Sequence, residues 1–242
     1  MLRTIAFYTK FITSLVTTMP LTKRLEKKVA EFDANNQILE KYQYMHEASS
    51  KWAEPFIKLS GAKVTVIGSE NIPKDGAVLF VSNHQSNFDI PLLIYYLDKP
   101  KGFISKKEIE KIPMINRWMK MMDCVFMDRS NLRKSAGAII EGIKILKKGQ
   151  SMVICPEGTR SKGGPIAEFK AGSFKLATKS KVPIIPITID GSYKIMEANK
   201  NFIKPSDVTL YIHPPIFTDK LSKEEESLLP KRVQNIVASK LS

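Results

Sequence analysis

Short β-rich runs alternate with helical stretches from Gly61 to the end of this chain, and no other sequence feature constrains the fold as strongly. Each apolar run ends in a turn or in a segment with helical spacing, which predicts an α/β architecture. We expect a mixed, largely parallel sheet of about seven strands covered by helices. The predicted strands are Lys63–Ile67, Ala77–Ser82, Lys101–Ile104, Cys124–Met127, Ser151–Cys155, Val182–Ile189 and Asp207–Ile212. The predicted helices are Phe88–Leu97, Pro113–Met121, Asn131–Lys148, Lys170–Ser180 and Lys223–Lys240.

A different pattern occupies residues 1–60, where apolar positions recur at helical spacing and lysines lie between them. Pro20 separates two helical patterns, and the second runs from Leu21 to beyond Trp52. Pro55 is expected to end the second helix, because the residue before a proline disfavours helical backbone. The sequence therefore predicts an amphipathic two-helix hairpin over residues 1–60, followed by an α/β domain over residues 61–242. The hairpin is expected to dock on lipid, and the alternative is that it only packs on the core.

The charge of the chain and the composition of its first stretch together bear on contact with a lipid surface. The net charge is +14, which attracts anionic lipid, nucleic acid or phosphorylated substrates without choosing among them. The apolar stretch Met1–Met19 carries Arg3 and Lys10, and a lysine inside a spanning helix costs ~3 kcal/mol. It also lacks the uninterrupted apolar core of a signal peptide. A helix lying in the membrane interface fits this composition better than a spanning one.

The cysteines and histidines argue against a covalent acyl-enzyme intermediate and against a metal site. Cys124 and Cys155 fall in apolar runs, so we expect buried free thiols, which suit a reducing cytosol and the cytoplasmic face of a membrane. No cysteine or serine has a convincing neighbouring base, so no acyl-enzyme intermediate is expected. The three histidines lie far apart without partners at ligand spacing, so no metal site is expected.

The run from Asn83 to Asp89 carries the residues best suited to acid–base chemistry. His84 is expected in the loop after a strand, where open α/β sheets bind their ligands. Asp89 falls in the first turn of the next helix, and a reversing loop brings its carboxylate back against the imidazole. The carboxylate then fixes the tautomer and leaves the other ring nitrogen free as a base. An acceptor hydroxyl needs such a base, since an alcohol is a poor nucleophile at neutral pH.

Two further loops follow predicted strands, the first with Arg129 and the second spanning Pro156–Ser161. If their strands are parallel neighbours of the first, all three loops share one edge of the sheet. An arginine fork there matches a phosphate in two parallel hydrogen bonds, and Gly158 lets backbone approach a ligand closely. Glu157 could accept a hydrogen bond from a glycerol hydroxyl or orient an arginine. Lys106 could add positive charge, although a solvated surface is the alternative for any single lysine.

Four ordered blocks make the chain resemble the glycerolipid acyltransferase family, and within it the 1-acylglycerol-3-phosphate acyltransferases. The first is Asn83-His84-Gln85-Ser86 with Asp89, a His-x4-Asp pattern. The second is Phe126-Met127-Asp128-Arg129, the third Pro156-Glu157-Gly158-Thr159-Arg160-Ser161, and the fourth Val182-Pro183-Ile184-Ile185-Pro186-Ile187. The chain departs from the family at Cys155, where an aromatic residue is common, and this departure concerns local packing.

The resemblance implies specific roles. His84 would deprotonate the acceptor hydroxyl, Asp89 would orient the imidazole, and the fourth block would shape the acyl site. The reaction would be direct attack on an acyl thioester of acyl carrier protein or coenzyme A, without a cofactor, giving phosphatidic acid. The residues expected to bind the glycerol phosphate are Arg129, Glu157, Gly158, Thr159, Arg160 and Lys106.

Two alternatives remain at this point. Glycerol 3-phosphate or another lysolipid could be the acceptor, because these enzymes share the motifs. A non-catalytic basic module that binds anionic lipid or nucleic acid would explain the charge and the hairpin. It would not explain His84, Asp89 and Glu157 among basic groups, and an aromatic-interleaved surface for stacking bases is missing.

Overall fold

A computed structural model describes residues 1–242, apart from the side chain of Leu132. The helices are α1 (Leu2–Thr17), α2 (Met19–Ala34), α3 (Ile38–Ser60), α4 (Asp89–Tyr96), α5 (Pro113–Met121), α6 (Leu132–Lys147), α7 (Lys175–Ser180) and α8 (Lys223–Ala238). The strands are β1 (Lys63–Ile67), β2 (Leu79–Ser82), β3 (Lys101–Lys106), β4 (Val125–Met127), β5 (Ser151–Ile154), β6 (Ile184–Asp190) and β7 (Asp207–Ile212).

The strands form one seven-stranded sheet in the order β1-β7-β6-β2-β5-β3-β4. β2 pairs in parallel with both β5 and β6, and β3 pairs in parallel with β5 and β4. Only the β6–β7 pairing is antiparallel among the strand pairs of the described residues. The predicted mixed, largely parallel α/β fold is therefore confirmed. The carboxyl ends of β2 to β6 all open at one edge of the sheet, which we call the loop edge.

The N-terminal part contains three helices, so the predicted two-helix hairpin is wrong. The long second pattern is divided after Ala34, where Asn36 adopts a left-handed backbone with φ of +55°. Asparagine tolerates this conformation because its short side chain is compatible with it. Helices α2 and α3 therefore fold as separate segments.

Pro55 does not end α3, and this prediction is also wrong. The helix continues through the proline to Ser60 and ends at Gly61, whose left-handed φ of +73° suits a C-terminal cap. The proline removes one backbone hydrogen bond. Neighbouring Ala53, Phe56 and Ile57 are buried in the core, and each large apolar side chain contributes about 1.5–3 kcal/mol. This burial offsets the lost hydrogen bond.

A smaller difference concerns the predicted helix Lys170–Ser180. Its first part is a 3₁₀ turn, Ala171–Phe174, and the α-helix begins at Lys175. Gly172 in the first turn disfavours a regular helix, because glycine loses more backbone freedom on ordering than other residues.

The core lies on both faces of the sheet. Alternate side chains of β2 point to opposite faces, so Phe80 packs with α3, α4 and α5, whereas Leu79 and Val81 pack with α6, α7 and α8. All four residues of β2 are buried. The strand that leads into His84 is therefore held rigidly from both sides.

Candidate active site

His84 and Asp89 are in direct contact at the loop edge. His84 lies in the loop after β2, and Asp89 is the first residue of α4. The Nδ1 atom of His84 is 2.7 Å from Oδ2 of Asp89. Because an ionised carboxylate only accepts hydrogen bonds, this contact assigns the proton to Nδ1 and leaves Nε2 without one. The reversing loop predicted from the sequence is thus present.

The carboxylate of Asp89 is completely buried and surrounded by donors. Its Oδ2 also accepts from the backbone amides of Gln85, at 2.7 Å, and Ser86, at 2.9 Å. Its Oδ1 accepts from the hydroxyl of Ser192 at 2.5 Å. A carboxylate with this many donors is held in one orientation. It can therefore stabilise a positive charge on His84.

Two side chains of the same loop fasten it to β6. Asn83 donates to the carbonyl of Ile189 at 2.9 Å and accepts from the amide of Ile189 at 2.8 Å. Gln85 accepts from the amide of Gly191 at 3.1 Å. These bonds fix the two residues on either side of His84. The polar residues of the first sequence block therefore position the imidazole, in addition to any direct contact with a substrate.

Glu157 joins the His84 loop to the loop after β5. One carboxylate oxygen accepts from the backbone amide of His84 at 2.7 Å, and the other accepts from the amide of Ala167 at 2.8 Å. The side chain is buried, and burial raises its pKa although the two amides act in the opposite direction. Both oxygens thus face protein amides, and contact with a glycerol hydroxyl, as the sequence suggested, stays a prediction.

Arg129 and Gly158 are in contact across the loop edge. Arg129 follows β4, and its Nη1 donates to the carbonyl of Gly158. Burial lowers the pKa of Arg129, but a guanidinium stays charged in proteins at any pH of interest. Gly158 has φ of +74°, and a Cβ atom there would lie 2.8 Å from Nζ of Lys170 and 3.5 Å from Nη1 of Arg129. The glycine thus leaves room for two cations.

Arg160 lies beside the His84 loop and is paired with an acid that the sequence analysis missed. The amide of Ser161 donates to the carbonyl of His84 at 2.8 Å, which brings the two loops together. Nη1 of Arg160 is 3.1 Å from Oε1 of Glu197. The same carboxylate accepts from Ser86 and Asn87 of the His84 loop.

The remaining predicted site residues lie at the same edge. Lys106 is the last residue of β3, and it is paired in register with Met127, two residues before Arg129. Thr159 is exposed between Gly158 and Arg160. The structure therefore brings every predicted site residue to the loop edge, while their contacts with a substrate remain predictions.

The two thiols lack the character of nucleophiles. Burial raises the pKa of Cys124 to about 12 and also raises the pKa of Cys155. A thiol is reactive as its thiolate, and both groups are protonated at neutral pH. Cys155 follows β5 beside Asp89 and Glu157, whose negative charges raise its pKa further.

Three residues near the site were not among the predicted site residues: Ser192, Glu197 and Lys170. One signal could have identified Ser192, because it follows the predicted strand Val182–Ile189 at the same kind of position as His84. Glu197 and Lys170 belong to none of the four blocks. Their proximity depends on contacts between residues that are distant in sequence.

Comparisons with known proteins show the family to which this chain belongs. A family model described as acyltransferase matches residues 63–190. The 1-acyl-sn-glycerol-3-phosphate acyltransferase of Borreliella burgdorferi is 34% identical over 183 residues, which are 76% of this chain and 73% of that protein. A probable 1-acyl-sn-glycerol-3-phosphate acyltransferase of Mycoplasma pneumoniae is 41% identical over 62% of this chain, and the match spans 57% of that longer protein.

A solved structure is similar over almost the whole chain. The crystal structure of the 1-acyl-sn-glycerophosphate acyltransferase PlsC from Thermotoga maritima superposes with a TM-score of 0.81 and 30% sequence identity. The match covers 98% of this chain and 92% of that protein. The similarity therefore includes the N-terminal helices as well as the sheet.

Proposed function

This chain belongs to the acyltransferase family, and from that premise we propose that it transfers a fatty acyl group from an acyl thioester to the sn-2 hydroxyl of 1-acyl-sn-glycerol 3-phosphate, giving phosphatidic acid. The observation that carries the proposal is the 2.7 Å contact between His84 and Asp89. The guanidinium groups of Arg129 and Arg160 extend from neighbouring loops of the same edge. This arrangement suits an alcohol that also bears a phosphate.

The proposed chemistry is a single displacement at the thioester. Nε2 of His84 takes the proton of the acceptor hydroxyl while its oxygen attacks the thioester carbonyl. The new C–O bond forms, the C–S bond breaks, and the imidazolium returns the proton to the departing thiolate. Asp89 stabilises the imidazolium in between. A positioned base of this kind contributes roughly 10²–10⁴-fold in rate.

The phosphate of the acceptor is proposed to bind the cations of the loop edge. Arg129 and Arg160 present planar guanidinium groups, which match a phosphate in paired hydrogen bonds. Lys170 and Lys106 add charge without that directional fork. Gly158 keeps the space between Arg129 and Lys170 open. A substrate without the phosphate is therefore expected to bind more weakly.

The position of α1 supports a lipid acceptor over glycerol 3-phosphate. The ring of Phe7 in α1 packs on Phe88 with their centroids 5.2 Å apart, and Phe88 directly precedes Asp89. The opposite face of α1 exposes Leu2, Ile5, Ile12 and Val16, which share one side of the helix by their spacing. Helix α1 thus packs on the residue before Asp89 with one face and exposes an apolar face on the other.

We propose that this face of α1 lies in the interface of the membrane, on its cytoplasmic side. Over the described residues, no helix is both long enough and apolar enough to cross a bilayer. An amphipathic helix on a protein of net charge +14 is attracted to anionic lipid through apolar burial and charge together. A lysolipid could then reach His84 from the bilayer surface.

The donor is proposed to be a thioester of acyl carrier protein or of coenzyme A, both of which present a phosphopantetheine arm. A two-by-two assay tests acceptor and donor together. Purified protein is given 1-acylglycerol 3-phosphate or glycerol 3-phosphate in mixed micelles, with either thioester. Phosphatidic acid from the lysolipid supports the proposal. Acylation of glycerol 3-phosphate alone, or no acyl transfer from either thioester, would contradict it.

A further inference from the structure

Glu197 is an almost buried acid that contacts both the loop of His84 and Arg160. It begins the 3₁₀ turn Glu197–Asn199 after β6, and its side chain is 4% exposed. Oε2 accepts from the hydroxyl of Ser86 at 2.6 Å. Oε1 accepts from the amide of Asn87 at 2.9 Å and from Nη1 of Arg160 at 3.1 Å. One carboxylate therefore connects the loop of His84 with the loop of Arg160.

The contact determines where the guanidinium of Arg160 lies. An arginine presents five N–H donors in a rigid plane. With Nη1 held by Glu197, the orientation of that plane is restricted, and donors on its other edge can meet a phosphate. Without the carboxylate, the flexible side chain of Arg160, which is one-third exposed, would lose rotamer freedom on binding a ligand.

The segment that carries Glu197 is itself well anchored. Ile195 and Ile203 flank it and are buried, and the amide of Lys204 donates to the carbonyl of Ile195 at 2.9 Å. On its outer side the hydroxyl of Tyr8 in α1 donates to the carbonyl of Asn201 at 3.0 Å. The carboxylate is thus supported by fixed backbone, as the accurate positioning of a binding group requires.

We propose that Glu197 is a positioning residue that holds Arg160 for the phosphate of the acceptor. The inference rests on the proposed function, because it assigns the phosphate-bearing substrate to Arg160. Its role is distinct from catalysis: Glu197 touches the protein groups that bind the acceptor and acts through Arg160. Its loss should therefore change the KM of the acceptor more than kcat.

The test compares Glu197→Ala, Glu197→Gln, Arg160→Ala and the double variant in micelles of 1-acylglycerol 3-phosphate. Glu197→Ala should raise the acceptor KM about tenfold or more, the effect of losing a hydrogen bond to a charged group, and leave kcat within about threefold. The KM of the thioester should not change. Glutamine can keep the bonds to Ser86 and Asn87 but carries no charge, so its acceptor KM should fall between those of wild type and Glu197→Ala.

The double variant tests whether the two residues act together. If Glu197 works through Arg160, adding Glu197→Ala to Arg160→Ala should change the acceptor KM less than about twofold. Glu26→Ala is the matched control, because Glu26 forms a two-pronged ion pair with Arg117, at 2.6 and 2.5 Å, between α2 and α5. It should leave both kinetic constants unchanged. Thermal unfolding of every variant measures folding separately.

Three outcomes would overturn the inference. A lower acceptor KM in Glu197→Ala would mean that the carboxylate competes with the phosphate. A loss of kcat with unchanged KM, equally large in the Arg160→Ala background, would mean that Glu197 only supports the His84 loop. Wild-type protein that fails to acylate 1-acylglycerol 3-phosphate would overturn the proposed function, and this inference with it. If Glu197→Ala does not fold, Glu197→Gln still decides between these results.

Discussion

Replacing Asp89 by asparagine separates the charge of this side chain from its shape. Oδ2 accepts from His84 and from the amides of Gln85 and Ser86, so an asparagine must turn its carbonyl to that position. Its NH₂ group then faces the hydroxyl of Ser192, which can accept as well as donate. The variant should keep the loop and the tautomer of His84 while losing the negative charge.

The lost charge matters when the imidazole becomes positive. The two charge centres lie about 4 Å apart, and at an effective dielectric constant near 20 their attraction is about 4 kcal/mol. An equal rise in the barrier slows turnover by about a thousandfold. Asp89→Ala is a less clear test, because it leaves two buried amides without a hydrogen-bond partner. Each unpaired amide lowers the free energy of unfolding by about 1–3 kcal/mol.

The assay measures kcat and acceptor KM for acyl transfer to 1-acylglycerol 3-phosphate, with thermal unfolding as the folding control. Asp98→Asn is the matched variant. Asp98 also faces a histidine, with Oδ1 3.4 Å from Nε2 of His46, but at the opposite end of α4. It should leave kcat unchanged. A folded Asp89→Asn enzyme within tenfold of wild-type kcat would refute the argument, because the carboxylate would then only support the loop.

Three further perturbations address other parts of the account. Gly158→Ala should raise the acceptor KM about tenfold in steady-state kinetics, because its Cβ would lie 2.8 Å from Nζ of Lys170 and displace that ammonium group from the phosphate. The left-handed backbone, which costs alanine about 1 kcal/mol, should lower stability and not KM. Ile5→Asp with Ile12→Asp should weaken sedimentation with anionic vesicles at least tenfold without lowering the unfolding temperature, because both side chains are exposed. Burial lowers the pKa of Lys101 to about 7. Between pH 7 and about pH 9 the unfolded chain therefore binds more protons than the folded protein, and wild-type stability rises with pH. Lys101→Met should flatten this pH dependence of stability in denaturant titrations.

Each of these three predictions has an outcome that would contradict it. Unchanged acceptor KM in Gly158→Ala would show that the cations beside Gly158 do not bind the acceptor. Unchanged vesicle binding after the two substitutions in α1 would move the lipid contact elsewhere. An equally steep pH dependence in Lys101→Met would show that other groups cause it.

The strands of the sheet and the contact between His84 and Asp89 could be predicted from the sequence, because both depend on patterns over a few neighbouring residues. Apolar runs and turns identified all seven strands, with ends that shifted by at most two residues. The His-x4-Asp spacing is itself local: a loop entering a helix brings Asp89, five positions after His84, back against the imidazole. The common loop edge then followed from the parallel pairing of β2, β5, β3 and β4.

The sequence-based predictions failed at positions where contacts between distant residues outweigh the conformational preference of the local sequence. Pro55 normally interrupts a helix, but burial of the adjacent apolar residues maintains α3. The break at Asn36 falls in a stretch whose helical spacing continues on both sides. Glu197 was invisible to sequence reasoning because it meets Arg160 and Ser86 from 37 and 111 residues away. Nothing in its neighbours distinguishes it from a surface acid.

The most direct measurement is the turnover of His84→Asn with 1-acylglycerol 3-phosphate and an acyl thioester, compared with His46→Asn. Asparagine retains polarity but cannot act as a base, and His46 is a buried histidine beside another aspartate. We predict a loss of at least about a hundredfold in kcat for His84→Asn, with the unfolding temperature and acceptor binding retained and the control unaffected. Near wild-type turnover by folded His84→Asn would contradict the proposal that this imidazole takes the proton of the acceptor.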